Sequence, residues 1–358
     1  MTRADLGEAE SLVGIFRRLI ANTGPISLQH YMGEANARYY NSRDPLGSGG
    51  DFVTAPEISQ MFGELIGLWL ADMWINAGRA ELVHYVELGP GRGTLARDAL
   101  RVAKRFGLEP QVHLVEGSVA LQRVQQDNVP GAQWHADLSS LPLSGPLLVV
   151  ANEFLDALPV RQLVMTPDGW RERMVVPEGA GKDGRFVCVA GSRPMDAAVP
   201  EDRRAAAPGT IIETCPGAAA TVDALAGRLV EQGGAALFID YGHDAPRDGS
   251  SLQAVRAHCK VDPFVDPGEA DLTAHVDFAT LAPVVSARGC RWLGTVPQGT
   301  WLRSLGIEAR CEALCQAAPA QAEALRIARD RLIDEGQMGL LFKVMGLAAP
   351  SWPGGAGF

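Results

Sequence analysis

Apolar residues recur along this chain in two rhythms. Over residues 8–21 and 27–38 they follow a helical period, and the Gly24-Pro25 pair separates the two amphipathic helices. A glycine-rich loop, PLGSGGDF (45–52), comes next. Thr54 and Glu57 have capping-box spacing, with Pro56 in the tolerated first turn, and predict a helix reaching about Ile75. Its sequence, MFGELIGLWLADMW, is apolar on most faces. Such a helix must be buried, either inside the chain or against a second copy in a homodimer.

From residue 82 the rhythm shortens. The runs LVHYVEL (82–88), QVHLVE (111–116), LLVVAN (147–152) and AALFID (235–240) are nearly continuous in apolar character and alternate with helical stretches. Strands buried on both faces read this way. The β-α-β-α order predicts an α/β fold around a parallel sheet with right-handed crossovers. The stretch RQLVMTPDGWRERMVV interrupts it as a hairpin turning at Pro167-Asp168-Gly169, and RFVCVAG adds a strand after an exposed Gly/Asp/Lys loop. CRWLGTV (290–296) and MGLLFKVMGL (338–347) read as strands paired at the sheet edge, and 307–335 as helical. The expected organisation is a helical extension or lid over 1–80, the first part of the core over 81–160, and an inserted β-rich lobe over 161–234. The rest of the core, with a substrate loop, follows over 235–347, and a loose tail over 348–358.

Composition narrows the choices. The 358 residues, 47% hydrophobic, suffice for one large core carrying an inserted lobe. A net charge of −10 repels nucleic-acid phosphates, so no nucleic-acid partner is expected. No run approaches the roughly 18 apolar residues of a membrane span. The opening MTRADLGEAESLV shows neither a signal-peptide core nor an Arg-rich transit pattern, so the expected location is cytoplasmic. Cys311 and Cys315 lie one helical turn apart, but no His or Cys pair elsewhere completes a tetrahedral site, and no metal is expected.

The chemistry gathers at strand ends. VELGPGRGT (86–94) follows a strand and opens a helix. Gly89, Gly91 and Gly93 permit a tight turn and close approach to a ligand, with Thr94 at the helix start. The third glycine comes one position earlier than in dinucleotide-binding loops, and Glu87 precedes the first. That form favours S-adenosylmethionine over a nicotinamide cofactor, with Glu87 accepting from the ligand's amino group. Glu116, ending the next strand, can accept both ribose hydroxyls. Asp137 or the Leu138 amide can meet the adenine amine, although Asp137 can equally cap a turn.

NEFLDALPV (152–160) directly follows a strand, so Asn152, Glu153 and Asp156 should face the transferable methyl group. Methylation of nitrogen requires an acceptor held in line, and a guanidinium acceptor also requires a carboxylate partner. Asn152, Glu153 and Asp156 are the catalytic candidates, with His243 of FIDYGH (238–243) as a further base. Asp240, Tyr241, Arg256 and His275 are candidates for binding the substrate.

YNSRDPLGSGGDFVTAPEISQMFGELIG, VELGPGRGT, NEFLDALPV, FIDYGH, LQAVRAH and GEADLTAHVDF occur in the order seen in the MidA-like family, which this chain resembles over roughly 24–345. The family's mitochondrial members are protein arginine methyltransferases that assist assembly of respiratory complex I. The resemblance implies a class I S-adenosylmethionine-dependent methyltransferase fold, Rossmann-like, with a mostly parallel seven-stranded sheet, an N-terminal helical extension and an inserted lobe. It maps the cofactor loop onto Gly89, Gly91 and Gly93, and the block 54–64 onto a segment closing over the cofactor with Thr54 near its carboxylate. It also implies a protein substrate, in the mitochondrial relatives a complex I subunit. Methylation of a small molecule or an oxygen nucleophile, and an assembly chaperone that binds the cofactor without catalysis, stay open as alternatives.

Overall fold

The computed structural model describes residues 11–42, 54–179 and 185–358; the expected glycine-rich loop at 45–52 lies outside them, as does most of the loop before RFVCVAG. Chain contacts divide the protein into two compact units. One is built from 44–156, 218–245 and 276–358, the other from 1–43, 157–217 and 246–275.

The first unit holds a sheet of β1 (His84–Leu88), β2 (Gln111–Val115), β3 (Gln133–His135), β4 (Leu147–Asn152), β5 (Gly234–His243), β6 (Arg291–Pro297) and β7 (Phe342–Ala348). Their spatial order is β6-β7-β5-β4-β1-β2-β3, and the short strand Val276–Asp277 pairs with the end of β5. Strands β1 to β5 run parallel, while β7 runs antiparallel to both β5 and β6. Every residue of β1 and β4 is buried, as their continuous apolar runs require. Residues 338–341 depart from the strand expected over 338–347: Met338–Leu341 is a helical turn, and β7 starts at Phe342.

The apolar helix expected from 54 to 75 is broken into Ala55–Ile58 and Gln60–Asn76 by extended Ser59 (φ −160°, ψ 138°). The capping box does not form. Thr54 makes no side-chain cap bond, and Ser59 caps the longer helix by accepting from the Met61 amide at 3.2 Å. Phe62, Ile66, Leu70 and Met73 are buried within this unit. Gly63 and Gly67 let the helix lie against Thr94–Ala103, since a Cβ on Gly63 would sit 2.9 Å from that of Asp98. Glu64, 4% exposed, pairs there with Arg101 at 3.0 Å and Arg310 at 2.7 Å.

The tail is not loose. Trp352 is buried, and the Phe358 ring lies 6.3 Å from those of Trp69 and Trp301. Trp69 Nε1 donates to the Ala356 carbonyl at 3.2 Å. Terminal aromatics supply apolar surface that the surrounding Gly and Pro conceal in the sequence. Cys311 and Cys315 are buried, their thiols directed at the Leu325 and Ala322 carbonyls.

The second unit redraws the expected boundaries. Helices Leu12–Thr23 and Leu28–Ser42 belong with the β-rich segments instead of forming a separate extension, because Phe16 and Tyr31 share a core with Val175 and Phe186. A five-stranded antiparallel sheet comprises Ile26–Ser27, Arg161–Thr166, Gly169–Pro177, Phe186–Pro194 and Ile211–Thr214. The expected hairpin forms in register, Thr166 opposite Gly169, with Gly169 at φ 97°. A three-stranded sheet, Gln253–Arg256, Cys259–Val261 and Asp271–Thr273, completes the unit.

Candidate functional site

The strand order reverses at β1: the chain passes to β2 and β3 on one side and resumes at β4 on the other. In open parallel sheets the ligand crevice lies beyond the carboxyl ends of the strands at such a switch. The loop from Gly89 to Thr94 leaves β1 at this point. Gly89, Gly91 and Gly93 have φ of 60°, 53° and 80°. A Cβ at Gly89 would meet Phe154 Cδ2 at 3.0 Å, and one at Gly93 would meet Val129 Cγ2 at 3.0 Å. The backbone conformation favours glycine at all three positions, and at Gly89 and Gly93 the space for a side chain is also tight.

Two amide side chains hold this loop from helix Val119–Asn128. Gln125 Nε2 donates to the Gly91 carbonyl at 2.7 Å, and Asn128 Nδ2 to that of Arg92 at 2.9 Å. Thr94 donates its hydroxyl proton to Glu57 Oε1 at 2.5 Å, so Glu57 ties the Ala55–Ile58 turn to the loop instead of serving the expected capping box.

Glu87 is buried near the end of β1. Its carboxyl accepts from the Tyr85 hydroxyl at 2.5 Å and from the Ala96 amide, and burial pushes it up to about 8. Tyr85 and Glu87 share one face of β1, and the contacts of this carboxyl are to that tyrosine and to the first turn of helix Thr94–Ala103. Glu116 stands half-buried at the end of β2. Its carboxylate accepts from the Ser118 amide at 2.7 Å and Gln125 Nε2 at 3.2 Å, with burial raising its proton affinity. Asp137 takes the capping role left open by sequence: it is exposed and accepts from the Ser139 amide at 2.8 Å. The Leu138 carbonyl accepts from Arg228 at 3.0 Å.

The ends of β4 and β5 gather the remaining acids. Asn152, 8% exposed, donates through Nδ2 to Glu153 Oε1 at 3.1 Å. Its buried Oδ1 has no hydrogen-bond partner among the described residues. Glu153 sits at φ 50°, a strained conformation for a residue with a side chain, and its amide donates to the Ile239 carbonyl at 2.8 Å. Its Oε1 also accepts from the Ala55 amide at 3.1 Å, which brings the Ala55–Ile58 turn against this loop. Burial, reinforced by nearby Asp156, raises the Glu153 carboxyl to about 7.

Asp240 is fully buried, and burial with Asp156 and Glu153 beside it raises its carboxyl well above the usual range. Its Oδ2 accepts from the Leu155 and Asp156 amides at 3.0 and 3.2 Å, and Oδ1 from the Tyr241 amide at 2.9 Å. Asp240 thus acts as the anchor of the loop after β4, a different position from the substrate-facing one expected. Tyr241 packs edge-on against Phe342 at 5.5 Å. His243 donates from Nδ1 to the Ala245 carbonyl at 2.7 Å and has Asp277 at 3.7 Å. Arg256 and His275 belong to the other unit, where Arg256 approaches Asp266 at 4.0 Å and His275 approaches Arg247 at 3.2 Å.

Residues 65–296 match the family model described as "Putative S-adenosyl-L-methionine-dependent methyltransferase". The chain is 36% identical to the mouse "Protein arginine methyltransferase NDUFAF7, mitochondrial", over 95% of this chain and 85% of the relative. To the Drosophila homolog of that name it is 36% identical, over 97% and 86%. A solved structure of a "likely methyl transferase" from Burkholderia thailandensis, bound to S-adenosyl-homocysteine, superposes with a TM-score of 0.83 at 29% identity, covering 99% of this chain and 96% of that one. The chain belongs to this family of S-adenosylmethionine-dependent methyltransferases, and S-adenosylmethionine is its cofactor. The glycine cradle and the Glu116 carboxylate fit that group. The cytoplasmic expectation is corrected: the relatives matching over most of the chain are named mitochondrial.

Proposed function

We propose that this enzyme methylates a guanidinium nitrogen of an arginine in a protein substrate. The names of the relatives point to that acceptor, and the motif resemblance makes a respiratory complex I subunit the first candidate. The observation that carries the proposal is the loop after β4, where the orphaned acceptor Asn152 Oδ1 stands beside the raised carboxyl of Glu153 and near Asp156.

When bound, S-adenosylmethionine supplies a sulfonium-activated methyl group. In this reading Gly89, Gly91 and Gly93 admit its amino-acid portion, and Glu116 receives the ribose hydroxyls. The Glu153 carboxylate pairs with the guanidinium, and Asn152 Oδ1 accepts one of its N–H groups, turning a nitrogen lone pair toward the methyl carbon. As the N–C bond forms and the S–C bond breaks, the nitrogen's excess proton passes to Glu153. A carboxyl near 7 is matched to receive it. Asp240 takes no part in this transfer; it positions the loop through its backbone amides.

Incubating the purified protein with methyl-labelled S-adenosylmethionine and an extract from a strain lacking it tests the proposal. Label in methylated arginine of a protein band supports it. Label confined to small molecules refutes it.

A further inference from the structure

Helix Val119–Asn128 carries a polar residue on its apolar stripe. Leu121 and Gln125, one turn apart, are its buried residues, and Gln125 is 0% exposed. A buried glutamine must place its amide groups, since an unpaired polar group in the interior is costly. Gln125 places them on three separate segments. Nε2 donates to the Gly91 carbonyl at 2.7 Å and to Glu116 Oε2 at 3.2 Å, while Oε1 accepts from Trp134 Nε1 at 2.8 Å.

We infer that Gln125 is the positioning residue that sets the glycine-rich loop and the Glu116 carboxylate in register with each other for the cofactor. The inference rests on Glu116 as the ribose acceptor. A trans peptide points its C=O and the following N–H in opposite directions. Holding the Gly91 carbonyl toward helix Val119–Asn128 therefore turns the Arg92 amide away from that helix, while the second proton of the same side chain orients the carboxylate. Trp134 fixes the amide's flip, because an indole N–H can only donate and so requires Oε1 on its side. Asn128 holds the next carbonyl in the same sense, at 2.9 Å. One rigid amide thus spans the sites of the cofactor's amino-acid and ribose portions without touching either.

The test is calorimetric binding of S-adenosylhomocysteine to the full chain and to Q125M, Q125E, E116Q and the double variant Q125M/E116Q. A second titration uses the 2′,3′-dideoxy form of the ligand. Q125M is close in volume and removes every donated bond. Q125E keeps an acceptor for Trp134 and sets a second carboxyl against Glu116, so the two variants lose the donated bonds with different side effects. A hydrogen bond donated to a charged group is lost in each, so affinity should fall about tenfold or more in both. The dideoxy ligand should lose less, and Q125M should cost less once E116Q is present, the remainder coming from the freed Gly91 carbonyl. Affinity within twofold of the parent in Q125E, or an undiminished Q125M effect in the E116Q background, overturns the inference. If E116Q alone binds like the parent, the ribose reading beneath it fails, and that result is read independently of either Gln125 variant.

Discussion

Replacing Glu153 by glutamine separates the binding of cofactor from the chemistry of transfer, and its size can be worked from the local geometry. The substitution preserves volume, and the amide oxygen can still accept from the Ala55 amide now 3.1 Å from Oε1. What disappears is a carboxyl raised from 4.5 to about 7, chiefly by burial and then by Asp156. In the unfolded chain that group releases its proton near 4.5; in the folded enzyme it keeps it to about 7. Stability linked to this proton is fully present below 4.5 and is lost as pH rises through 7. Each pH unit between those values is worth ~1.4 kcal/mol, so the wild type loses at most about 3 kcal/mol by pH 8. Glutamine does not titrate. The stability of E153Q relative to wild type should therefore grow by about 2–3 kcal/mol between pH 5 and pH 8. Urea unfolding at the two pH values reads the difference. Removing the charged partner of the guanidinium should lower kcat/KM about ten- to a hundredfold, with affinity for S-adenosylhomocysteine unchanged. A stability difference that does not change with pH would refute the raised carboxyl, and unchanged turnover would refute its role.

Other perturbations bear on the same architecture. G89A places a Cβ at φ 60° and 3.0 Å from Phe154, so it should cost about 1–2 kcal/mol and weaken S-adenosylhomocysteine binding, measured by calorimetry. D240N keeps one acceptor oxygen and so loses either the Leu155 and Asp156 amides or the Tyr241 amide. It should destabilise the fold by about 1–3 kcal/mol in urea unfolding and depress label transfer along with it. F358A removes a ring held between Trp69 and Trp301 and should cost about 2 kcal/mol, whereas a loose tail would show no change in the unfolding midpoint.

The parts of this fold legible in the sequence are those fixed by short-range pattern. The runs at 82–88, 111–116, 147–152 and 235–240 became adjacent parallel strands because a buried parallel strand imposes continuous apolar character. The glycine loop was legible because positive φ leaves few alternatives to glycine. Long-range choices were not legible. Helices Leu12–Thr23 and Leu28–Ser42 carry apolar stripes that do not name their partner, and the partner proved to be the β-rich unit. Glu57 has capping-box spacing, yet Thr94 offers it a hydroxyl from a distant segment. Glu87 precedes the loop, and strand alternation gives it the Tyr85 hydroxyl, a partner that the motif does not announce. Gln125 had one signal, a polar residue one turn from Leu121 on a buried stripe, and only the fold reveals what it meets.

A crystal structure with S-adenosylhomocysteine bound would show whether the loop after β4 faces the methyl-donating centre. With the ligand bound, the ribose hydroxyls should lie on Glu116 and the sulfur should point at Asn152 and Glu153. Ribose hydroxyls held elsewhere, or a sulfur directed away from the β4 loop, would contradict that arrangement.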